Sequence, residues 1–132
     1  MVNIPKILVF DIDEELISQV AIFLEEVCAI VFTSSDTTTV LERLGEIDPD
    51  LIIIGTEMPM INGDLPLTLV LKATNAPIMA IGHKEELVYM LELGADRFVS
   101  KPLSGALFIA TVHSLLRQKW NSAYKGNNMS PC

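Results

Sequence analysis

A run of four apolar residues at 51–54, three of them β-branched, is the strongest constraint on the fold of this chain. Such a run predicts a short strand that is buried on both faces, as at the centre of a parallel sheet. Pro59 marks the turn that follows. In doubly wound α/β domains ligands bind just beyond the carboxyl ends of such strands, so we expect any chemistry at Gly55 to Glu57. The first of these residues is a glycine, which has no side chain to take part.

Apolar segments alternate with helical patterns along the rest of the chain. In addition to the central strand, strands are predicted at 6–10, 29–33, 77–81 and 97–100. Apolar residues at three- and four-residue spacing predict helices at 14–27, 65–73, 84–93 and from 104 to about 120. A further helix is predicted to start after the capping residues at 34–36 and to end at Gly45. This alternation predicts an α/β fold in three layers, with a doubly wound, five-stranded parallel sheet between helices.

Length, charge and cysteine count narrow the class of protein. A chain of 132 residues is long enough for one domain, which we place at 1–120, followed by a polar and flexible tail at 121–132. The net charge of −8 disfavours nucleic acid as a partner of this domain, because phosphate contacts need Lys and Arg. The apolar runs are too short for a membrane span. Neither a signal peptide nor a disulfide framework is visible, so we expect a cytoplasmic protein.

Six short motifs occur in one order along the chain. They are Ile-Leu-Val-Phe-Asp-Ile-Asp-Glu-Glu at 7–15, Pro-Asp-Leu-Ile-Ile-Ile at 49–54, Met-Pro-Met-Ile-Asn-Gly at 58–63, Ala-Pro-Ile-Met at 76–79, Gly-Ala-Asp-Arg-Phe at 94–98 and Lys-Pro-Leu at 101–103. In this order and spacing they resemble the receiver domain of two-component response regulators, the CheY-like family. The resemblance extends over 6–119 and implies a flavodoxin-like sheet with the strand order 2-1-3-4-5.

The resemblance implies a role in phosphorelay signal transduction. In that family an aspartate accepts a phosphoryl group beside a Mg²⁺ ion that carboxylates hold, and a lysine and a hydroxyl couple the product to a helix shift. Carried over to this chain, the acceptor position falls on Gly55. The acidic pair after the first strand falls on Asp11 and Ile12, so isoleucine stands at the position of the direct metal ligand. Asp13 follows, and alternation along the chain is expected to aim it differently from Ile12.

The other positions of the family pattern are kept only in part. The switch hydroxyl falls on Gly82, the switch aromatic on Phe98, which has no hydroxyl, and the lysine is present as Lys101, before a Pro102 that is expected to be cis. The resemblance therefore implies a degenerate pseudo-receiver. We predict a domain that is not an enzyme, needs no cofactor and signals through protein–protein contacts without phosphorylation. The expected partners are a histidine kinase or an effector domain.

Other interpretations of the same residues stay open. Asp11 and Glu57 could hold Mg²⁺ weakly, since that ion needs only one or two protein carboxylates. Asp13 or Glu57 could accept a phosphoryl group in place of Gly55. Lys101 could bind an anion, although an ion pair with Asp11 and Glu57 is the simpler expectation.

An enzyme is the least favoured interpretation. The residues Asp11-Ile12-Asp13 also resemble the Asp-x-Asp nucleophile motif of haloacid-dehalogenase-type phosphatases. However, Glu14-Glu15 stands where that family has glycine followed by threonine or valine. No later pair of acids in the sequence completes a Mg²⁺ site of that kind.

The last predicted helix indicates a surface for self-association. Residues 104–116 contain no formal charge when His113 is neutral. The core stripe of this helix leaves Leu107, Thr111 and Ser114 on the opposite side, where a surface helix normally carries charged residues. We expect this side, together with Tyr89 on the preceding helix, to form a homodimer face.

Overall fold

The computed structural model describes residues 4–124, without the side chains of Thr37 and of 120–124. Within these residues, five strands alternate with five α-helices, and two short 3₁₀ helices precede α-helices. In chain order the elements are β1 (Lys6–Phe10), α1 (Glu14–Leu24), β2 (Ile30–Ser34), a 3₁₀ helix (Thr37–Thr39), α2 (Val40–Ile47), β3 (Leu51–Gly55), α3 (Pro66–Ala73), β4 (Ile78–Gly82), a 3₁₀ helix (Lys84–Glu86), α4 (Leu87–Leu93), β5 (Arg97–Ser100) and α5 (Gly105–Tyr124).

The strands form one parallel sheet in the order β2-β1-β3-β4-β5. At its centre, β3 pairs with β1 through Ile54 and Phe10, and with β4 through Gly55 and Ile81. Every residue of β3 is buried, as expected for a strand that helices cover on both faces. The architecture and the strand order confirm the predicted three-layer, doubly wound fold.

Two apolar cores lie on opposite faces of this sheet, because successive strand residues alternate between the faces. Ile53 of β3 contributes to the core under α1 and α5, where Phe108 of α5 is fully buried. Ile52 of β3 and Phe10 of β1 contribute to the core under α2, α3 and α4. The helices that follow β3 and β4 therefore share one face, and the first and last helices share the other.

The boundary of α2 differs from its prediction. The helix does not end at Gly45 but continues to Ile47, so that prediction was wrong. Gly45 has open space around its α-carbon, and a helix can pass through an exposed glycine at a modest cost in backbone entropy. The helix ends instead at Asp48, whose φ of 52° lies in the left-handed region, and Pro49 follows.

Two other helices differ in length from their predictions. α1 ends at Leu24 and not at residue 27, because the backbone N–H groups of Glu25 and Val27 bond to carbonyls three residues back and tighten the last turn. α5 continues to Tyr124, past the predicted end near residue 120, since no glycine or proline interrupts the sequence before Gly126. The predicted tail is thus helical as far as Tyr124, and 125–132 lie outside the described residues. No helix in 4–124, α5 included, combines the length and hydropathy that a membrane span requires.

Candidate functional site

The carboxyl ends of β1 and β3 lie side by side and bring Asp11 next to Gly55. Phe10 pairs with Ile54 across these strands, so the residues that follow reach the same edge of the sheet. A Cβ atom added at residue 55 would overlap Oδ2 and Cγ of Asp11 and lie 2.9 Å from Oδ1. The Asp11 carboxyl group therefore fills the space in which a side chain at position 55 would begin.

Asp11 is an unusual carboxylate. It is 1% exposed and is the one buried charged residue in the part of the chain that the structure describes. Its Oδ1 accepts a hydrogen bond from the Asp13 backbone N–H (3.1 Å), whereas its buried Oδ2 has no partner. Burial raises the pKa of Asp11 above its ordinary value of 3.8, although the backbone N–H groups of Asp13 and Ile12 and the charge of Lys101 lower it. The site thus disfavours the ionised form of Asp11.

Gly82, at the end of β4, is covered in a similar way. A Cβ atom at residue 82 would overlap Oγ1 of Thr56 and lie 2.6 Å from Oε1 of Glu86. The Thr56 hydroxyl donates a hydrogen bond to this Oε1 (2.8 Å), and the His83 backbone N–H donates to it as well (2.9 Å). Thr56 and Glu86 therefore occupy the space of a side chain at position 82.

The sequence interpretation missed Thr56 and Glu86. One signal was present, because the pairing of Gly55 with Ile81 in the sheet places Thr56 beside Gly82 on the neighbouring strand. A glycine next to a threonine at the carboxyl edge leaves room for the threonine side chain. The part played by Glu86, thirty residues further along the chain, has no such local signal.

Glu57 lies at the surface of this edge and contacts two nitrogen-bearing side chains. His83 Nε2 lies 3.0 Å from its Oε1, and Lys101 Nζ lies 3.9 Å from its Oε2. Of the two expected ion pairs, Lys101 forms the one with Glu57. It acts on Asp11 through its charge, but among the described residues the two side chains form no ion pair. The Glu57 and His83 side chains are 47% and 57% exposed, so water screens their interaction. The bond between Lys101 and Pro102 is cis.

The side chains of Asp13 and Ile12 do not take part in this cluster, which the Asp13 backbone N–H joins through Asp11. Oδ1 of Asp13 accepts hydrogen bonds from the backbone N–H groups of Glu15 (3.0 Å) and Leu16 (3.3 Å) and so caps α1. The Ile12 side chain is 45% exposed. Asp13 therefore stabilises the beginning of a helix, and Ile12 offers no ligand atom at the position where the resemblance expects one.

The residues predicted for a homodimer face are only partly exposed. Leu107 and Tyr89 are 59% and 53% exposed, whereas Thr111 and Ser114 are half-buried. The Thr111 hydroxyl donates to the backbone carbonyl of Leu107 (2.7 Å), within the same helix. Phe98, at the switch aromatic position, is half-buried and packs against the core under α2, α3 and α4.

The helix α4 presents an apolar surface that the sequence interpretation noted only at Tyr89. Leu87, Val88, Tyr89 and Leu91 are all exposed, with Val88 the most exposed at 64%. Met90 is the buried residue of this helix. The signal was present in the sequence, because Glu92 is the single charged residue between 87 and 93. We refer to Leu87, Val88, Tyr89 and Leu91 as the α4 face.

The residues at this edge do not fit a Mg²⁺ ion. That ion requires octahedral oxygen ligands and keeps several of its waters, so its carboxylate ligands must be accessible. Oδ2 of Asp11 is buried, and the Glu57 carboxylate already contacts His83 and Lys101. This edge therefore lacks a pair of accessible, unpaired carboxylates that such an ion would need.

Comparison with known proteins finds similarity to bacterial signalling proteins. The family model described as the response regulator receiver domain matches residues 7–113. The chain is 29% identical over 119 residues to the sensory transduction protein BceR of Halalkalibacterium halodurans, with 88% of this chain and 52% of the relative covered. It is 33% identical over 128 residues to the transcriptional regulatory protein CpxR homolog of Haemophilus influenzae, with 95% of this chain and 55% of the relative covered.

The solved structures agree with the fold. NtrX from Brucella abortus superposes with a TM-score of 0.81 at 22% identity, over 92% of this chain and 28% of that one. The chain spans about half the length of the curated relatives it matches. The family match extends from β1 into α5 and includes Asp11, Gly55, Gly82 and Lys101. The chain belongs to the family of response regulator receiver domains of two-component signal transduction.

Proposed function

We propose that this receiver domain signals through protein–protein contacts, without accepting a phosphoryl group at the acceptor position of its family. The placement of Asp11 is the observation that carries the proposal. Its carboxyl group fills the space at Gly55 in which an acceptor side chain would begin, and glycine itself offers no nucleophile. Asp11 is 1% exposed, so a phosphoryl donor has no access to its oxygen atoms. On this proposal the domain is a pseudo-receiver and not an enzyme, and it needs no cofactor.

The surroundings of Gly82 and Lys101 support this proposal. Gly82 has no hydroxyl to offer a phosphoryl oxygen, and Thr56 and Glu86 fill the space beside it. The carboxylate of Glu86 would repel an incoming anion at that place. Lys101 already lies 3.9 Å from the Glu57 carboxylate. The groups that would hold a phosphoryl product are therefore absent or already paired.

Incubation with acetyl phosphate and Mg²⁺, followed by intact mass spectrometry, tests the proposal. We expect the mass of the protein to stay unchanged under conditions that modify a receiver domain with an acceptor aspartate, run in parallel as the control. Stoichiometric addition that is stable in acid and labile in base would contradict the proposal.

Two variants test whether Asp13 or Glu57 accepts a phosphoryl group in place of residue 55. Asp13 already caps α1, and Glu57 already contacts His83 and Lys101, so we expect neither Asp13→Asn nor Glu57→Gln to alter the mass result. If the wild-type chain gains a phosphoryl group and one of these variants does not, that residue is the acceptor. The domain is then phosphorylated at a non-standard acid.

We also infer that the domain forms a homodimer through the α4 face and Leu107 on α5. Val88 and Leu107 are 64% and 59% exposed, and exposed apolar surface on neighbouring helices commonly marks a protein contact. We expect light scattering at high micromolar concentration to show a dimer for the wild type and a monomer for Leu107→Glu. A wild-type monomer at that concentration, unchanged in Leu107→Glu, would contradict the inference.

Ile22→Glu is the matched control for this experiment. Ile22 is 62% exposed, as much as the residues of the α4 face, but it lies on α1. Its replacement adds the same charge at a site that the inferred dimer leaves free. The control should therefore remain dimeric, and equal dissociation by both variants would show a general charge effect.

The partner on the signalling side is proposed to be a histidine kinase or an effector domain. The curated relatives are a sensory transduction protein and a transcriptional regulatory protein, and the chain matches about half of each. The net charge of −8 disfavours direct contact between this domain and nucleic acid. A cytoplasmic location stays a prediction.

A further inference from the structure

The segment that leads into α4 is bound to the end of β3 by one side-chain contact. The Thr56 hydroxyl, just after β3, donates to Oε1 of Glu86, which immediately precedes α4 (2.8 Å). The same oxygen accepts the backbone N–H of His83 (2.9 Å), and the Glu86 N–H in turn donates to the His83 carbonyl (2.9 Å). Oε1 of Glu86 thus joins the turn after β4 to the turn after β3. We call the Thr56–Glu86–His83 unit the clasp.

The clasp depends on the glycine at position 82. A Cβ atom there would overlap Thr56 Oγ1 and lie 2.6 Å from Glu86 Oε1, the two atoms of the hydrogen bond. Any larger residue at 82 would therefore separate Thr56 from Glu86. Gly82 has no positive φ that would require a glycine for the backbone alone. The structural effect of glycine at position 82 is therefore to leave room for the Thr56–Glu86 hydrogen bond.

The first turn of α4 is exposed to solvent. Of its seven residues, only Met90 is buried, and Leu87 to Tyr89 are all exposed. A short helix with so little buried surface has low local stability. A part-buried hydrogen bond at its beginning consequently has a large influence on where the helix lies.

We propose that the clasp fixes α4, and with it the α4 face, in one position without any ligand. The hydroxyl comes from Thr56, just after β3, and the carboxylate from Glu86, just before α4, so both groups belong to this chain and are always present. The α4 face is therefore presented constitutively. This inference goes beyond the proposed lack of phosphorylation, and its test uses no phosphoryl donor, so either can fail without the other.

Hydrogen exchange of the backbone amides, followed by mass spectrometry, tests the clasp. Thr56→Val keeps the shape of the side chain and removes the hydroxyl. We expect exchange in 83–91 to become about fivefold faster, the effect of losing one part-buried hydrogen bond on local opening. We expect Gly82→Ala to accelerate the same segment, because the added Cβ displaces Thr56 Oγ1 from Glu86.

Two controls make the result specific. Thr111→Val removes a hydroxyl whose hydrogen bond stays within α5, so exchange in 83–91 should match the wild type. Thr56→Ser keeps the hydroxyl and should also match it, which guards against a general loss of folding in the valine variant. Unchanged exchange in 83–91 for Thr56→Val or for Gly82→Ala would overturn the proposal, and so would equal acceleration in Thr111→Val.

Discussion

The two ends of the parallel sheet differ in how completely their aspartates are hydrogen-bonded. At the amino end, just before β3, Oδ2 of Asp50 accepts the Lys6 backbone N–H (2.8 Å) and Oδ1 accepts Nζ of Lys119 (2.8 Å). At the carboxyl end, Oδ1 of Asp11 accepts the Asp13 backbone N–H, and the buried Oδ2 has no hydrogen-bond partner. At the amino end, both carboxylate oxygens of Asp50 are hydrogen-bonded and connect β1, β3 and α5. At the carboxyl end, one buried carboxylate oxygen of Asp11 is not hydrogen-bonded.

The two aspartates therefore differ in role: Asp50 stabilises the fold through its hydrogen bonds, whereas the placement of Asp11 needs another explanation. Buried polar atoms in folded proteins are nearly always paired, so an unpaired one calls for an explanation. Such exceptions concentrate at functional sites, and the carboxyl edge is where ligands bind in doubly wound folds. Asp11 stands at an acidic position of the family pattern and packs against Gly55, and on the proposed function it thereby occupies the place of an acceptor side chain.

Gly55→Ala should give the largest effect on this comparison. Its Cβ would displace the Asp11 carboxyl group inside a buried site, so we expect the free energy of unfolding to fall by about 2 kcal/mol. Urea denaturation measures the change. Adding Asp11→Ala to Gly55→Ala removes the overlapping atoms and should recover most of the loss.

Gly45→Ala is the matched control for that substitution. Gly45 lies inside α2 with open space around it, so the added methyl group should raise stability by about 0.5–1 kcal/mol through helix propensity. If Gly55→Ala proves as stable as the wild type, Asp11 moves aside freely, and the carboxyl edge is not closed in the way described.

Asp50→Asn should lower the free energy of unfolding by about 1.5 kcal/mol, because it weakens a charge-assisted hydrogen bond to Lys119. Urea denaturation in low and high salt checks this value, and the loss should shrink as salt screens the pair. If Asp50→Asn is as stable as the wild type, the hydrogen bonds of Asp50 do not stabilise the fold.

Asp11→Asn should act in the opposite direction and raise the free energy of unfolding by about 1 kcal/mol at neutral pH. The amide keeps an oxygen that can accept the Asp13 N–H, and it avoids the cost of burying a charge without a full set of partners. The same urea measurement decides the sign. Destabilisation as large as that of Asp50→Asn would mean that the Asp11 charge is well compensated.

The pH dependence of this difference gives the smallest and sharpest prediction. Because the pKa of Asp11 is raised in the folded state, the folded protein binds more protons than the unfolded chain above 3.8, the ordinary value. The wild type should therefore lose stability relative to Asp11→Asn as the pH rises through the raised pKa. Below 3.8 Asp11 is protonated in both states, and the two proteins should converge. A gap that is constant with pH would contradict the raised pKa.

Much of the fold followed from the sequence, because it depends on local patterns. The apolar run before Gly55 predicted the central strand, and the alternation of strands and helices predicted the three layers. The predicted end of α2 at Gly45 was wrong, because a helix can either end at an exposed glycine or continue through it. The left-handed residue that follows the helix is Asp48.

The candidate site could be predicted only as a set of positions. The sequence places Gly55 and Gly82 at strand ends, but a missing Cβ does not say which neighbour fills the space. That Asp11 covers one glycine, and that Thr56 and Glu86 cover the other, depends on side-chain directions at the ends of three strands and in the 3₁₀ helix after β4. The exposure of the α4 face likewise depends on how the short helix lies on the sheet.

Fluorine NMR of the protein with beryllofluoride and Mg²⁺ tests the central claim most directly, because this phosphoryl analogue binds where an acceptor carboxylate is free. With the Asp11 carboxyl group packed over Gly55, the spectrum should contain only the signals of the free fluoride species. A protein-bound fluorine signal, accompanied by amide shifts at Gly55 and along α4, would show that the site opens and accepts a phosphoryl group after all.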